Sequence, residues 1–198
     1  MRVIILSKAP VVGQVKTRLQ PEYSAEQATE LHKLMLKATL TKVCSVFNDV
    51  WLAVDDVSHP YFAELKSNYA IKLKTQGKGD LGQRLKGLCE ASFGHDSSSI
   101  MFLGTDSPHV MLTRYRQVQE ALVSSDVVIG PVEDGGYDLI ALSKPCLDLF
   151  DGVHWGTHSV FEKTMNIING LKLKVHVLEA SFDLDRAQDI RRAPPASW

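Results

Sequence analysis

Hydrophobic positions along this chain fall into short continuous runs separated by stretches with helical spacing. The short runs are rich in Val, Ile and Leu, which is typical of strands. They predict strands at Val3–Leu6, Val50–Val54, Ile71–Lys74, Ile100–Leu103, Val127–Ile129, Leu139–Leu142 and Val175–Leu178. Val3–Leu6, Ile100–Leu103 and Val127–Ile129 are almost entirely apolar, as expected where helices cover both faces of a sheet.

The stretches between these runs carry helix signals. Ser24 and Gln27 form a capping-box pattern, and apolar residues then recur on one face at Ala28, Leu31, Met35 and Ala38. Similar spacing predicts further helices at Pro60–Ser67, Leu81–Ser92, Leu112–Leu122, Ser159–Ile168 and Arg186–Arg191. Alternating strands and helices predict an α/β protein with a mostly parallel sheet. Ligands of such sheets bind beyond the carboxyl ends of the strands.

Composition narrows the class of protein. A chain of 198 residues predicts one domain, and the Ser97–Ser99 cluster predicts a loop within it. With 22 Lys and Arg against 23 Asp and Glu, the charge lacks the basic excess of nucleic-acid or membrane-surface binders. Val3–Leu6 is too short for a signal-peptide core or a membrane span, which predicts a cytoplasmic protein. Cys44, Cys89 and Cys146 are well separated and predict thiols rather than disulfides.

The loop after the first strand is rich in cations. It carries Lys8, Lys16 and Arg18, with Gly13 to shape the turn. An ammonium group binds phosphate as a point charge, and a guanidinium group binds it as a two-pronged donor. The spacing differs from that of a Walker A loop. The segment therefore predicts a polyphosphate site, with a solvated basic loop as the alternative.

A second loop is rich in glycine. Gly77, Gly79 and Gly82 match G-x-G-x-x-G between a strand and a helix, and Asp106 follows at a later strand end. This pattern allows a dinucleotide-binding dehydrogenase as an alternative. However, two βα units precede the motif, and Asp80 would bring a carboxylate close to the pyrophosphate. The favoured interpretation is a loop whose backbone lies against a nucleotide base or ribose.

Two acidic residues follow later strands. Asp106 ends the fourth strand within Gly104–Pro108, where a carboxylate suits Mg²⁺, which combines one or two protein carboxylates with substrate phosphates. An Asx-type turn or a helix N-cap is the alternative for Asp106. Asp134 precedes Gly135 and Gly136 and could bind hydroxyl groups or act as a general base. A plain hairpin turn is the alternative there.

The C-terminal third carries three further candidates. Trp155 predicts either a stacking surface for a substrate ring or a core anchor. The pair His154 and His158 suggests a metal site only if both side chains face one point. Asp183 and Asp185 point the same way in an extended segment, so one or both could supply a second metal carboxylate. Asp185 also suits the N-cap of the last helix.

Together these segments resemble the glycosyltransferase-A-like family of uncharacterised bacterial proteins, which are described as nucleotide-diphospho-sugar transferases and in part belong to arsenosugar biosynthesis clusters. The resemblance rests on Lys8–Leu19, Gly79–Leu85, Gly104–Pro108, Gly130–Tyr137 and Trp155–Thr157. In the wider superfamily, cofactor guanylyltransferases look similar at Lys16–Leu19 and Asp183–Asp185. Departures from the family pattern, at His109, Asp138, Ala141 and Gly156, lie mainly on the acceptor side.

The resemblance implies a GT-A fold, a mostly parallel mixed sheet flanked by helices. It implies one domain, 1–198, with a nucleotide-binding half, 1–108, and an acceptor-binding half, 109–198. It implies Mg²⁺ or Mn²⁺ at Asp106 with Asp183 or Asp185. The nucleotide-binding candidates are Lys8, Gly13, Lys16, Arg18, Gln76, Gly79, Asp80 and Leu81. The acceptor-binding candidates are Gly135, Gly136, Tyr137, Trp155 and Thr157.

The function expected from these features is transfer from a nucleotide-activated donor to a small-molecule acceptor. In a nucleotide-sugar glycosyltransferase, Asp106 and its metal would stabilise the departing nucleoside diphosphate, and Asp134 would orient or deprotonate the acceptor. In a nucleotidyltransferase, a phosphorylated acceptor would attack the α-phosphate of an NTP and release pyrophosphate, which the cation-rich first loop favours. A nucleotide-binding module without catalysis is a third hypothesis.

Overall fold

The computed structural model describes residues 1–94 and 98–198, so Ser97 of the predicted loop lies outside the described residues. The strands are β1 (Arg2–Ser7), β2 (Val50–Val54), β3 (Ile71–Thr75), β4 (Ile100–Leu103), β5 (Val127–Pro131), β6 (Tyr137–Leu142) and β7 (Val175–Val177). Within the described residues these seven strands form one sheet, in the order β3-β2-β1-β4-β6-β5-β7. Every predicted strand is present, with ends within two residues of the prediction.

Helices cover the sheet at the positions that the apolar spacing indicates. They are α1 (Ala25–Cys44), α2 (Pro60–Asn68), α3 (Leu81–Phe93), α4 (Leu112–Ala121), α5 (Val160–Gly170) and α6 (Ala187–Arg192). The capping box is confirmed, because Ser24 Oγ accepts a hydrogen bond from Gln27 N at 3.2 Å while Gln27 Oε1 accepts one from Ser24 N at 2.8 Å. Among the described helices, none has the length and apolar character that crossing a bilayer requires.

The strand order places a crevice beside β1. Strand β1 pairs in parallel with both β2 and β4, and β2 pairs in parallel with β3. The chain therefore runs outward from β1 to β3 and then returns to the other side of β1. The loops after β1 and β4 diverge at such a switch point, where ligands of open α/β sheets bind. Strand β6 runs antiparallel to β4 and β5, which confirms a mixed sheet.

Alternate residues of β1 enter the cores on opposite faces of the sheet. Val3 and Ile5 pack with buried residues of α1, α2 and α4. Ile4 packs on the other face with residues of α3 and α5. All three side chains are fully buried, which confirms the expectation that helices cover both faces of this strand.

A third apolar cluster joins the two ends of the chain. Leu19 from the loop after β1 packs with Met35 of α1, with Leu184 of the segment before α6 and with Ile190 of α6. The side chains of Leu19, Met35 and Leu184 are fully buried. This burial of apolar surface holds the segment around Leu19 against the segment around Leu184. The cationic loop and the C-terminal carboxylates are thereby brought to the same edge of the sheet.

Candidate active site

Lys16 lies between two carboxylates at this edge. Its Nζ is 2.9 Å from Asp106 Oδ1 and 3.0 Å from Asp185 Oδ1, and it also donates to Leu184 O at 2.9 Å. All three ammonium protons thus have acceptors within the protein. Burial lowers the pKa of Lys16, but Asp106 and Asp185 outweigh this effect and raise it above the ordinary value. Lys16 is therefore charged and tightly held.

The backbone of Lys16 adopts a left-handed conformation. Its φ is 48° and its ψ is 39°, and such a conformation costs an ordinary residue on the order of 1 kcal/mol. A short 3₁₀ turn, Thr17–Leu19, follows directly and ends at the buried Leu19. The turn and its anchor therefore hold Lys16 in a conformation that points its side chain at the two carboxylates.

The loop after β4 is fastened to the C-terminal segment. Leu184 N donates to Asp106 O at 2.7 Å, and Ser107 Oγ donates to Asp183 Oδ1 at 2.6 Å. Burial would raise the pKa of Asp106, but the charge of Lys16 outweighs it and lowers that pKa. Burial raises the pKa of Asp183 to about 7, with a further rise from Asp106. Asp106 and Asp185 therefore share the buried cation, and Asp183 lies beside them with Ser107 as its partner.

The donor set of these acids fits a divalent cation that substrate phosphates help to hold. Asp106, Asp183 and Asp185 outnumber the two cations that bind members of this set, Lys16 and Arg18, so a further positive charge suits the site. Among residues 1–94 and 98–198, no three His, Cys, Asp or Glu side chains form a ready-made metal cage. This chemistry suits Mg²⁺ or Mn²⁺ with one or two protein carboxylates, rather than a metal enclosed by protein.

A first cavity of about 470 Å³ lies at the carboxyl ends of β1 and β4. Its size is that of a small-molecule site. Five predicted nucleotide-binding residues line it, namely Lys8, Lys16, Arg18, Gln76 and Leu81. Gly13, Gly79 and Asp80 are absent from its lining within the described residues. Asp80 instead caps α3, where its Oδ1 accepts from Gln83 N at 2.8 Å.

The amide of Gln76 is fully engaged by the protein. Its Nε2 donates to Ser7 O at 2.9 Å and to Ala53 O at 3.0 Å, which bridges the ends of β1 and β2. Its Oε1 accepts a hydrogen bond from Arg84 Nη1 at 3.1 Å. Gln76 thus has a structural role beside its predicted contact with the nucleotide. Arg84, which also lines the cavity, is held in place by this bond.

His32 is a site residue that the sequence analysis missed. It projects from α1 into the first cavity, and its Nε2 lies 3.0 Å from Lys8 O. Burial lowers the pKa of His32, so its ring is neutral near pH 7 and Nε2 acts as the donor. A lone histidine beside an apolar helix face gives no chemical signal in a sequence. Its contact with Lys8, 24 positions away, arises only when α1 packs on β1.

A second cavity of about 560 Å³ adjoins the first. The two cavities share Arg18, Asp106 and Asp185 among their lining residues. The second is also lined by the acids Asp134 and Asp183 and by the predicted acceptor residues Gly136, Tyr137, Trp155 and Thr157. The sheet edge therefore carries two adjoining cavities with the carboxylate and lysine cluster at their junction.

The loop at Asp134 is the hairpin turn between β5 and β6, which the sequence analysis gave as the alternative. The same loop forms part of the wall of the second cavity. Asp134 Oδ1 accepts from Gly136 N at 2.9 Å, which leaves Oδ2 for other contacts. Gly135 has a φ of 90°, and a Cβ there would lie 2.0 Å from His158 O. Its carbonyl accepts a hydrogen bond from Phe161 N at 2.9 Å. Glycine at this position therefore lets the hairpin dock on the start of α5.

Trp155 serves partly as an anchor. Its ring makes an edge contact with Tyr137, with centroids 6.3 Å apart, and it lies against Gly82, where an added Cβ would be 2.7 Å from Trp155 Nε1. The same ring lines the second cavity. The two interpretations of Trp155 are thus compatible, because its indole nitrogen lies against Gly82 of α3 while its ring borders the second cavity.

The glycine-rich segment takes a place unlike that of a dinucleotide fingerprint. It follows β3, which lies at one edge of the sheet, whereas the fingerprint follows a strand at the switch point. A Cβ at Gly79 would overlap the side chain of Gln83, which closes the capping box with Asp80. These glycines lead into the capped start of α3, and the dehydrogenase alternative is not supported.

Comparison with known proteins identifies a family. A family model described as uncharacterized proteins conserved in bacteria (DUF2064) matches residues 36–157. No curated protein matches the sequence.

Solved structures with a similar fold include three named for nucleotide chemistry. A provisionally assigned nucleotide-diphospho-sugar transferase from Desulfovibrio desulfuricans G20 has a TM-score of 0.85 and 24% identity, over 98% of this chain and 93% of that chain. CMP:2-keto-3-deoxy-manno-octonic acid synthetase, complexed with CTP, has a TM-score of 0.62 and 10% identity, over 98% and 96%. 4-Diphosphocytidyl-2C-methyl-D-erythritol synthase from Anaerococcus prevotii DSM 20548 has a TM-score of 0.62 and 10% identity, over 97% of this chain and 94% of that chain. These likenesses confirm the expected nucleotide-diphospho-sugar transferase fold.

Proposed function

We propose a function for this chain, which belongs to the bacterial family DUF2064, from the junction of its two cavities. The protein is a metal-dependent transferase that takes a nucleotide-activated donor, most simply a nucleotide sugar. The observation that carries this proposal is the meeting of Lys16, Asp106 and Asp185 where the cavities adjoin. Reacting groups of a donor in the first cavity and an acceptor in the second would meet at that point.

Donor phosphates have suitable partners in the first cavity. Lys8 is exposed there, and Arg18 has a side chain that is 58% exposed while it donates to Asp185. Arg84 keeps guanidinium protons beyond those bonded to Gln76 and Gly79. His32 fixes the backbone of Lys8. This arrangement supports the assignment of residues 1–108 as the nucleotide-binding half.

Mg²⁺ or Mn²⁺ would be held by Asp106 together with Asp183 or Asp185. When bound, the ion supplies Lewis-acid stabilisation of negative charge on the departing phosphate. Before the donor arrives, Lys16 keeps Asp106 and Asp185 ionised and oriented, because it binds both carboxylates directly. Arg18, which lines both cavities, would donate to the phosphate that carries the developing charge.

Acceptor activation falls to Asp134 in this proposal. Its carboxylate lines the second cavity and keeps one oxygen free of the hairpin turn. The acceptor hydroxyl gives its proton to Asp134 as its oxygen bonds to the anomeric carbon of the donor sugar. The bond from that carbon to the diphosphate breaks, and its electron pair leaves with the nucleoside diphosphate. Residues 109–198, which supply most of this cavity, are then the acceptor-binding half.

Nucleotidyl transfer is a second candidate. It is supported by the likeness to synthases and synthetases of nucleotide chemistry, one of which was solved with CTP. However, the cationic loop offers less free charge than its sequence indicates. Lys16 has its three protons engaged, and Arg18 is paired with Asp185. A departing pyrophosphate carries more negative charge than a departing nucleoside diphosphate, so the pairing of Lys16 and Arg18 supports the proposal of a nucleotide sugar as the donor.

Product analysis tests the proposal. The protein is incubated with Mg²⁺ or Mn²⁺ and either nucleotide sugars or NTPs, and the released phosphate compound is identified. Nucleoside diphosphate from a nucleotide sugar is the expected product. Pyrophosphate from an NTP as the only product would establish nucleotidyl transfer instead. Nucleotide binding without turnover, over broad donor and acceptor panels, would identify a non-catalytic binding module.

A further inference from the structure

The second cavity has an apolar floor. Its volume of about 560 Å³ accommodates a molecule of sugar size or larger. The apolar lining includes Leu85, Phe102, Leu139, Ile140, Trp155 and Val160. Aromatic and aliphatic walls of this kind suit a ring that presents C–H groups on one face.

Two carboxylates face this floor without a cationic partner. Asp134 accepts a hydrogen bond from Gly136 N, and Asp183 accepts one from Ser107 Oγ. Neither takes part in an ion pair within residues 1–94 and 98–198. Burial raises the pKa of Asp183 to about 7, so the lasting negative charge at this floor is that of Asp134, while both groups keep oxygens that accept hydrogen bonds. They therefore complement a ligand that carries donors.

The other acids that line the second cavity are paired with cations: Asp106 and Asp185 bind Lys16, and Asp138 binds Arg114. The oxygens of Asp138 bind Arg114 at 3.1 Å (Nε) and 3.0 Å (Nη2), and the two side chains are 3% and 11% exposed. Gly130 leaves room for this pair, because a Cβ there would lie 2.4 Å from Asp138 Oδ1. Asp138 and Arg114 form a closed, neutral pair that adds no charge to the cavity.

The cations of the second cavity lie at its margins. Arg18 is bound to Asp185 at 2.9 Å, and Arg186 is exposed. A phosphate group within the cavity would face the unpaired carboxylate of Asp134, and like charges a few ångströms apart repel by about 1–4 kcal/mol. An ammonium group would be repelled by the guanidinium groups of Arg18 and Arg186. A hydroxyl group avoids both penalties and can donate to either carboxylate.

We infer that the second cavity takes an uncharged, polyhydroxylated acceptor and excludes phosphorylated ones. Hydroxyl groups of this acceptor donate to Asp134 and Asp183, and its apolar face lies against Trp155. The inference rests on the proposed function, because it assigns the acceptor to this cavity. It also names the class of acceptor and specifies a hydroxyl oxygen, rather than a phosphate oxygen, as the nucleophile.

A charge series of acceptors tests the inference. The donor is the nucleotide sugar that releases nucleoside diphosphate fastest. The acceptors are glucose, glucosamine, gluconate and glucose 6-phosphate, all at the same concentration in the millimolar range. We expect glucose to accelerate nucleoside diphosphate release and to form a glycoside detectable by mass. We expect glucose 6-phosphate to be at least about tenfold less effective.

Variants separate charge selection from a structural effect. Asp134→Asn removes the proposed base as well as one negative charge, at nearly constant shape, so the preference is measured here as acceptor affinity in the presence of nucleoside diphosphate. The ratio of the affinity for glucose to that for glucose 6-phosphate should fall by at least about fivefold. Asp126→Asn is the matched control, because Asp126 precedes β5 at the opposite edge of the sheet and pairs with Lys144. Arg186→Gln should leave the preference for glucose intact.

The outcomes distinguish this inference from the proposed function. If no nucleotide sugar is turned over, the proposed function fails. If a donor is turned over but glucose leaves its rate unchanged, or a charged acceptor exceeds glucose, the inference about the acceptor fails while the transferase remains. A larger preference for glucose over glucose 6-phosphate in Arg186→Gln than in the unchanged protein would likewise overturn it, because Arg186 would then bind the phosphate of an acceptor.

Discussion

Lys16 Nζ lies 2.9 Å from Asp106 Oδ1, which joins the cationic loop after β1 to the acid at the end of β4. The two residues are 90 positions apart in the sequence. Their contact follows from the strand order, because β1 and β4 are parallel neighbours and their carboxyl ends meet at one edge. The basic and acidic segments that the sequence singles out therefore form one site.

Asp106→Asn should weaken metal-dependent nucleotide binding by at least about tenfold, because it removes a charged oxygen from the proposed metal site. The fold should persist, since Lys16 keeps Asp185 and Leu184 as partners. Calorimetric titration with nucleotide, with and without EDTA, measures the effect. Unchanged metal-dependent affinity would refute the role of Asp106.

Glycine at position 16 should be more stable than alanine by about 1 kcal/mol, because the φ of 48° strains any residue with a Cβ. Urea unfolding of Lys16→Gly and Lys16→Ala measures this difference. Both variants should lose nucleotide affinity, since both remove the cation that orders Asp106 and Asp185.

Lys172 provides the matched control for Lys16. In the described part of the chain, Lys16 and Lys172 are the two non-glycine residues with a positive φ, and that of Lys172 is 54°. Lys172 lies just beyond α5. Lys172→Gly should exceed Lys172→Ala in stability by a similar amount, with nucleotide binding unchanged in both. A loss of nucleotide binding at position 172 would mean that the effect at position 16 reflects general destabilisation.

Gln76→Leu should lower the free energy of unfolding by about 2–4 kcal/mol, because Ser7 O and Ala53 O would lose their buried donors. Chemical denaturation without nucleotide measures this structural role. Gln14→Leu is the control, since Gln14 lines the same cavity but is exposed. Equal stabilities of the two variants would contradict the bridging role of Gln76.

His109 should contribute a loss of stability as the pH is lowered from about 6.5 to about 4, whereas Asp183, with a pKa raised to about 7, contributes in the opposite sense over the same range. Burial lowers the pKa of His109 from 6.5 to about 4, with Lys42, Arg192 and Arg114 contributing. Between these values the unfolded chain binds a proton that the folded protein does not, so stability rises with pH. The expected contribution is about 2 kcal/mol or less after allowance for solvent screening.

His109→Phe isolates this contribution. The ring of His109 stacks on Phe182 with centroids 4.0 Å apart, and phenylalanine can keep that contact. Neither ring nitrogen of His109 has a hydrogen-bond partner within the described residues, so the substitution removes no such bond. In urea unfolding between pH 7 and pH 4, the unchanged protein should lose stability relative to the variant as the pH falls, and a constant difference between the two would exclude this role of His109.

Much of the fold is predictable because its signals are local. Apolar runs such as Ile100–Leu103 mark strands that are buried on both faces, and the pattern at Ser24 and Gln27 marks the start of α1. Helix and strand ends depend on nearby residues, so the predicted ends are close. Candidate chemistry at Asp106 and Lys16 is likewise visible, because charged residues directly after apolar strands stand out.

Other properties of the site depend on contacts between distant residues. The sequence predicts Lys16 as a phosphate ligand, but its bond to Asp106 depends on the pairing of β1 with β4, and its bonds to Leu184 and Asp185 depend on the apolar packing that joins the chain ends. His32 reaches the site because α1 packs on β1. The amide nitrogen of Gln76 donates both of its protons to backbone oxygens at the ends of β1 and β2. Residue type and spacing determine which groups can do chemistry. Their partners, charges and free hydrogen-bonding capacity follow from long-range packing, which local sequence does not encode.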